Sequence, residues 1–253
     1  MDLKKAVAVV TGGNGGLGQR ICHALARDGA NIAVVCAQSI EAAQGVAREI
    51  GAQAPAKGVE AAAFACDVTQ PAQVQRLVDD VIKRFGRLDI LINDAAYNKA
   101  IPFRDLDALT IEEWSKIMDV NLTGPLHCIK AVAPVMQKQG RGRIVNIASV
   151  AGLGPSGSSI AYAVSKAGLI HLTRCMAVAL APHVLVNCVA PGLLEGTRAT
   201  ANLPQAQIDQ SAAAALLKKA ADKDDVAHQV VTMCRTETMT GQTVVIDSGR
   251  YFH

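Results

Sequence analysis

Tyr162 and Lys166 stand four residues apart in Tyr162-Ala163-Val164-Ser165-Lys166. On a helix that spacing puts both side chains on one face. A tyrosine is a poor base at neutral pH, since its ordinary pKa is about 10. A lysine ammonium beside it favours the phenolate and is expected to lower that value. Ser149 follows the strand-like run Arg143–Ile147, where its hydroxyl could hydrogen-bond the oxygen of a carbonyl. Asn121, in Met118-Asp119-Val120-Asn121-Leu122-Thr123-Gly124, adds a polar side chain in the middle of an expected helix. Together these residues read as a general acid/base set for a carbonyl–alcohol couple, with a nicotinamide as hydride carrier. Taken singly, each has a plainer explanation: a half-exposed helical pair, a helix cap, a polar contact. Their order and joint spacing, downstream of a glycine-rich turn, make the chemical reading the stronger one.

That turn is Thr11-Gly12-Gly13-Asn14-Gly15-Gly16-Leu17-Gly18. It follows the first apolar run and opens a helix. Glycines there permit a tight turn and close approach of a pyrophosphate to the backbone. The helix start then offers free N–H groups and the positive end of its dipole. A glycine cluster alone is weak evidence; this one has the strand–turn–helix context that dinucleotide binding needs.

The elements that must position these residues are legible as an alternation. Expected strands are Ala6–Val10, Ile32–Val35, Ala61–Ala65, Leu88–Ile92, Arg143–Ile147, Leu185–Val189 and Thr243–Ile246. Expected helices are Gly16–Asp28, Ser39–Ile50, Pro71–Phe85, Ile111–Gln137, Ala161–Ala181 and Lys223–Met233, with a short one over Ser211–Lys219. Short, continuously apolar strands between helices predict a doubly wound α/β domain: a parallel Rossmann-type sheet of about seven strands, covered on both faces. The whole chain, 1–253, reads as one domain. Residues 193–223 form the longest stretch without a strand and read as a substrate lid or as an ordinary helical insertion.

Composition narrows the function classes. Half of the 253 residues are hydrophobic and 19% are charged, which suits a globular core. Eight aromatic residues and a net charge of +3 argue against a nucleic-acid reader. The seven cysteines are never closer than 13 residues apart, so neither a zinc site nor a redox pair is expected. They read as free thiols of a reducing cytoplasm. Only five apolar residues follow Met1-Asp2-Leu3-Lys4-Lys5, too few for a signal-peptide core, and no apolar run approaches the ~18 residues of a membrane span.

On these residues the sequence resembles the classical short-chain dehydrogenase/reductase family, over essentially the whole chain. The matches are T-G-x-x-x-G-x-G at Thr11–Gly18, Asp67-Val68 after the third strand, Asn93-Asp94-Ala95-Ala96 after the fourth, Asn121, Ser149, Tyr162, Lys166, and Pro191-Gly192 after the sixth. The 13-residue separation of Ser149 and Tyr162 also fits. The resemblance implies that Tyr162 is the acid/base, that Lys166 lowers its pKa and binds the nicotinamide ribose, that Ser149 orients the carbonyl, and that Asn121 holds a relay water. It implies a cofactor groove formed by Gly12, Asn14, Gly16, Leu17, Gly18, Ala37, Gln38, Asp67, Val68, Asn93, Ala95, Tyr162, Lys166, Pro191 and Gly192. The chain departs from the family at Ala96, where a glycine is usual, and at Thr197, displaced one residue by Gly196. The loop from Pro182 to Asn187 looks one residue short. Ser248 replaces one glycine of the usual D-G-G.

Cofactor choice turns on the end of the second strand. An NAD enzyme normally places a carboxylate there for the ribose hydroxyls. Here Cys36 takes that position and no acid precedes Glu41. NADP is therefore favoured, with NAD as the alternative. The nearest relatives in pattern look like 3-oxoacyl-thioester and general ketone reductases, so a 3-oxo compound is the default small-molecule substrate. Leu193, Leu194, Leu203, Ile208, Leu216 and Leu217 would give the lid an aliphatic lining. Tyr97, Asn98 and Lys99 could reach the pocket, and Arg198, Lys218 and Lys219 could meet an acidic group. The resemblance implies a homotetramer that packs the helices Ile111–Gln137 and Ala161–Ala181 into its interfaces, and their apolar content, including Ile129, Val132, Leu169, Leu172, Met176 and Leu180, is in keeping with this; no membrane or nucleic-acid partner is expected. A nucleotide-sensing regulator, or a lyase or epimerase on the same scaffold, are the alternatives; the intact Tyr–Lys pair speaks against both.

Overall fold

Consecutive residues of a strand face opposite sides of a sheet. In β1 (Val7–Thr11), Ala8 and Val10 join one apolar cluster while Val7 and Val9 join another. The same division runs through β2 (Asn31–Cys36), where Ile32 and Val34 part from Ala33 and Val35. A strand buried on both faces has no polar side to show, which explains the unbroken apolar runs. The computed structural model describes residues 1–53, 58–197, 200 and 205–252.

Five more strands complete the sheet: β3 (Ala61–Ala65), β4 (Ile90–Asn93), β5 (Gly142–Ile147), β6 (Val184–Pro191) and β7 (Thr243–Ile246). Their order is β3-β2-β1-β4-β5-β6-β7, all parallel. The order reverses between β1 and β4, so a crevice opens there at the carboxyl edge, where ligands bind in such sheets. On one face lie α1 (Gly16–Arg27), α2 (Ile40–Gln53) and α8 (Lys223–Arg235). The other carries α3 (Pro71–Phe85), α5 (Gly124–Lys138) and α6 (Ile160–Leu180).

The expected helix over Ile111–Gln137 is not uniform. It runs as α4 (Ile111–Met118), a five-residue π-turn over Asp119–Thr123, and α5. The Ala-rich helix also sits elsewhere: α7 spans Gln205–Ala214, ahead of the expected Ser211–Lys219. It stops because the C-terminal segment takes the next donors. Leu216 N–H donates to the Gly249 carbonyl, Leu217 N–H to that of Ser248, and Lys218 turns into the left-handed region at φ +53°.

The start of β4 is braced electrostatically. Asp89 is fully buried, and its carboxylate accepts the Val7 N–H at 3.0 Å and both Arg87 Nε and Nη2 at 2.6 Å. Replacing Asp89 by Ala orphans these donors and is expected to cost about 2–3 kcal/mol. For a chain of this size that is a fall in melting temperature of roughly 5–10 °C, read by calorimetry. An unchanged melting temperature would show the brace to be dispensable.

None of the seven cysteines is in a disulfide; six are buried and Cys175 on α6 is exposed. Among the described residues α6 is the one helix long and apolar enough to cross a membrane. Here it packs on β5 and β6 and carries the buried Lys166.

Candidate active site

The Thr11 hydroxyl clasps the two strands that flank the crevice. It donates to the Ile92 carbonyl at 3.3 Å and accepts the Asp94 and Ala95 N–H groups at 3.1 and 3.2 Å. This draws the turn after β1 onto the chain leaving β4. Gly12 adopts φ +68°, and a Cβ there would sit 3.0 Å from the backbone N and Cα of Ala95. A Cβ on Gly18 would lie 2.3 Å from the Gly12 carbonyl oxygen. α1 has no side-chain cap and no acid in its first turn, so the N–H groups of Gly16, Leu17 and Gly18 lack intrahelical partners. This cradle fits a dinucleotide pyrophosphate: the glycines leave room and the helix end supplies donors.

Asn14, expected to touch cofactor, also braces the cradle. Its Nδ2 donates to the Gln38 and Ser39 carbonyls at 3.1 and 3.5 Å, tying the glycine turn to the loop after β2. That loop presents Ala37 and Gln38 to solvent beyond the buried Cys36. Asp67 Oδ1 accepts the Thr69 N–H and hydroxyl at 2.9 and 2.8 Å, so this carboxylate is spent on the turn into α3. Val68 packs against Gly124 at the start of α5.

The chemical set forms one turn further along the edge. Ser149 ends the chain leaving β5, and its Oγ accepts the Ala151 N–H at 3.2 Å, capping a short 3₁₀ turn at Val150–Gly152. Ser159 caps α6 by accepting the Tyr162 N–H at 3.1 Å, which fixes the tyrosine in the first turn. The Ser149 hydroxyl lies near the Tyr162 phenol and favours its ionised form. Lys166 is buried, with Nζ donating to the Ile147 carbonyl at 2.8 Å and lying 5.7 Å from the Tyr162 ring centroid.

The electrostatics correct one expectation. Burial pushes the Tyr162 phenol above its ordinary value; Ser149 opposes this and Asp94 adds to it. Lys166 is itself pulled down to about 8 by burial, opposed by Asp94 and Cys188. In the free chain, desolvation thus outweighs the help expected of Lys166 for the phenolate.

Asn121 lies in the π-turn rather than in regular α-helix. Its Oδ1 accepts the Tyr97 N–H at 2.8 Å, and its Nδ2 donates to the Tyr97 carbonyl at 3.0 Å and Ser165 Oγ at 3.1 Å. This side chain is a brace between the loop after β4 and α6. Asn93 donates to Asn146 Oδ1 at 2.8 Å, and Asn146 to Thr173 Oγ1 at 2.9 Å, a buried polar line from sheet to α6. Pro191 is buried, and Gly192 lies against Asp247, where a Cβ would meet the Asp247 Cα at 2.9 Å.

Thr197 closes its own loop: its Oγ1 donates to the Leu194 carbonyl at 3.2 Å. That loop rests on the cradle, since a Cβ on Gly16 would sit 2.5 Å from the Gly196 carbonyl oxygen. Of the expected lid lining, Leu194 belongs to the core and pairs with Ala221, while Leu216 and Leu217 are exposed. Leu203 and Arg198 lie outside the described residues. Lys218 Nζ turns back onto the Ala213 carbonyl at 2.9 Å. Tyr97 and Lys99 are both held by Glu113 of α4, at 3.4 and 2.9 Å, rather than lining an open pocket.

Asp94, inside the Asn93–Ala96 match, adds to the elevation of Tyr162 and holds Lys166 up against burial. Tyr251 donates its hydroxyl to Ser156 Oγ at 3.0 Å, tying the C-terminal segment to the loop after the 3₁₀ turn. No local pattern marks Tyr251, because it arrives from the far end of the chain.

Comparison with known proteins fits this geometry. The family model described as short chain dehydrogenase matches residues 6–208. A 3-oxoacyl-[acyl-carrier-protein] reductase of Synechocystis is 36% identical over 248 residues, covering 98% of this chain and 97% of the relative. The 3-oxoacyl-[acyl-carrier-protein] reductase FabG of Staphylococcus epidermidis is 34% identical over 247 residues, covering 96% and 98%. The structure of the NADPH-dependent 3-quinuclidinone reductase from Rhodotorula rubra superposes with a TM-score of 0.88 at 25% identity, covering 98% of this chain and 92% of that one. The chain belongs to the short-chain dehydrogenase family and is an oxidoreductase of carbonyl and alcohol substrates with a nicotinamide cofactor.

Proposed function

We propose that this protein reduces a 3-oxoacyl-type ketone with NADPH, Tyr162 delivering the proton. The observation that carries the reading is the gathering of three groups at the end of β5: Lys166 Nζ bonds the Ile147 carbonyl two residues before Ser149 and lies 5.7 Å from the Tyr162 ring, and Ser149 favours the ionised phenol. Ser149 and Tyr162 donate to the carbonyl oxygen, which polarises the carbonyl carbon. Tyr162 then gives its proton to that oxygen. A bound nicotinamide supplies the hydride. The Lys166 ammonium offsets the charge left on the phenolate, and Asn121 holds α6 against the loop that carries Tyr97. The raised phenol keeps its proton at neutral pH, which is the state reduction requires.

NADPH is favoured because a 2′-phosphate meets no carboxylate beyond Cys36, and Gln38 and Ser39 offer donors there. The neighbour whose title names NADPH supports this reading. Residues 193–223 act as the substrate lid in a single domain, and the protein works as a cytoplasmic homotetramer. Several residues expected to drive assembly are covered within one chain: Ile129, Val132, Leu169 and Leu180 are buried, because they face the sheet. On α6, Leu172 and Met176 stay half-buried and Val164 and Val178 are exposed. Sedimentation showing only monomer at micromolar concentration overturns the tetramer.

The test of function is a panel of ketones, 3-oxo thioesters and alcohols, followed at 340 nm with NADPH and NADH in turn. Turnover of 3-oxo thioesters above simple ketones is expected; no turnover with any carbonyl refutes the reading. Cys36→Asp should reverse cofactor preference by at least tenfold, since a carboxylate repels a 2′-phosphate and accepts from ribose hydroxyls. A parent that already uses NADH tenfold better refutes the argument from the missing acid.

A further inference from the structure

Asn146 is fully buried near the carboxyl end of β5, and both ends of its amide are engaged. Its Oδ1 accepts Asn93 Nδ2 at 2.8 Å, and its Nδ2 donates to Thr173 Oγ1 at 2.9 Å. The Thr173 hydroxyl spends its own proton on the Leu169 carbonyl at 2.9 Å, so it has only lone pairs to offer Asn146. The Asn146 amide can therefore point only one way. Asn93 Oδ1 has no partner among the described residues, a cost that stability alone would not favour.

The line joins the two halves of the site. Asn93 is the ladder partner of Asn146 on one side and of Thr11 on the other. Thr11 is the residue whose hydroxyl clasps the glycine turn to Asp94 and Ala95. One residue beyond Asn146, the Ile147 carbonyl accepts the Lys166 ammonium at 2.8 Å. Consecutive residues of β5 thus pin α6 at Lys166 and at Thr173, which lie about two turns apart on one helix face. α6 is apolar on most sides. Burial has no direction, so apolar contact alone leaves such a helix free to slide or turn on the sheet. Hydrogen bonds have a length and an angle, and they select one placement.

We propose that Asn146 and Thr173 are positioning residues for the reaction: through them, the strand ends that border the cofactor groove set the place of Tyr162 and Lys166. Both are fully buried and act through the helix. The inference rests on Tyr162 and Lys166 being the proton-transfer pair. A shift of about 1 Å arising far from the chemistry can cost roughly 10²-fold in rate.

Thr173→Val keeps the shape of the side chain and removes the acceptor. Its kcat for carbonyl reduction should fall by about tenfold or more, with NADPH affinity within roughly threefold of the parent's, and the rate should become sensitive to deuterium at the transferred position of NADPH. Thr173→Ser, which keeps the hydroxyl, should recover most of that loss. A merely structural role would lower the melting temperature and leave kcat and the isotope effect in place; that result overturns the proposal, as does a Thr173→Ser no faster than Thr173→Val. A second readout needs neither substrate nor cofactor. Amide hydrogen exchange in α6 should quicken by about tenfold or more in Thr173→Val, while α3 on the same face of the sheet keeps the parent's rates. Equal quickening in both helices shows general loosening and sinks the idea. Should Thr173→Val fold poorly, Thr173→Ala makes the same comparison. Failure of the underlying reading is separable, since it shows as turnover surviving in Tyr162→Phe.

Discussion

Tyr162→Phe should lower kcat by at least 10²–10⁴-fold, roughly the usual contribution of general acid/base catalysis, while leaving cofactor affinity nearly intact. The substitution removes one oxygen and keeps the ring. The backbone N–H of residue 162 still donates to Ser159, so α6 starts as before. What is lost is the proton donor for reduction and, in the reverse direction, the phenolate. The parent's alcohol oxidation should therefore rise with pH and the variant's should not. Ser149 then lacks its phenol partner, so a Ser149→Ala, Tyr162→Phe double variant should be little worse than Tyr162→Phe alone, as expected of groups acting as a unit. The decisive number is kcat of Tyr162→Phe at saturating cofactor. Retention of more than about a tenth of parental turnover assigns the proton to another group.

Gly18→Ala should abolish cofactor binding up to millimolar concentration and destabilise the chain by about 1–3 kcal/mol. The added methyl would lie 2.3 Å from the Gly12 carbonyl oxygen and 2.9 Å from the Gly12 carbonyl carbon and the Gly13 Cα. Every one of these is backbone, so no side chain can swing aside. The turn after β1 must shift, and with it the contact between Gly12 and Ala95 that shapes the crevice. Titration calorimetry with NADPH and NADH checks affinity; thermal unfolding checks stability. Binding within threefold of the parent would show that the turn tolerates displacement and that the cradle lies elsewhere.

These two residues illustrate what a sequence discloses. Gly18 sits in a run whose spacing encodes a turn, and Tyr162 lies four residues from Lys166 on one helix face. Both relations are local, so both are legible in the order of residues alone. The seven-strand parallel sheet is legible too, because strands buried on both faces must be apolar throughout. The composition of the alanine-rich segment points several residues past α7, since the end of that helix is set by hydrogen bonds to Ser248 and Gly249. The π-turn around Asn121 leaves no mark in the periodicity. Burial of Tyr162 and Lys166 is equally invisible, and it reverses the expected direction of the phenol's shift in the free chain. The bond from Tyr251 to Ser156 joins residues far apart in sequence and has no local mark either.

The distribution of the thiols has a practical consequence. Burial holds Cys66 and Cys188 up near 11 and Cys234 near 12, and pushes Cys22 and Cys128 upward as well. Thiolate, the form that attacks electrophiles, is scarce in such places. Reagents and air meet Cys175 first, so the protein behaves toward alkylating probes much as a single-cysteine chain would. A fluorophore or spin label can thus be set on the outer face of the helix bearing Tyr162 and Lys166 without removing any native residue.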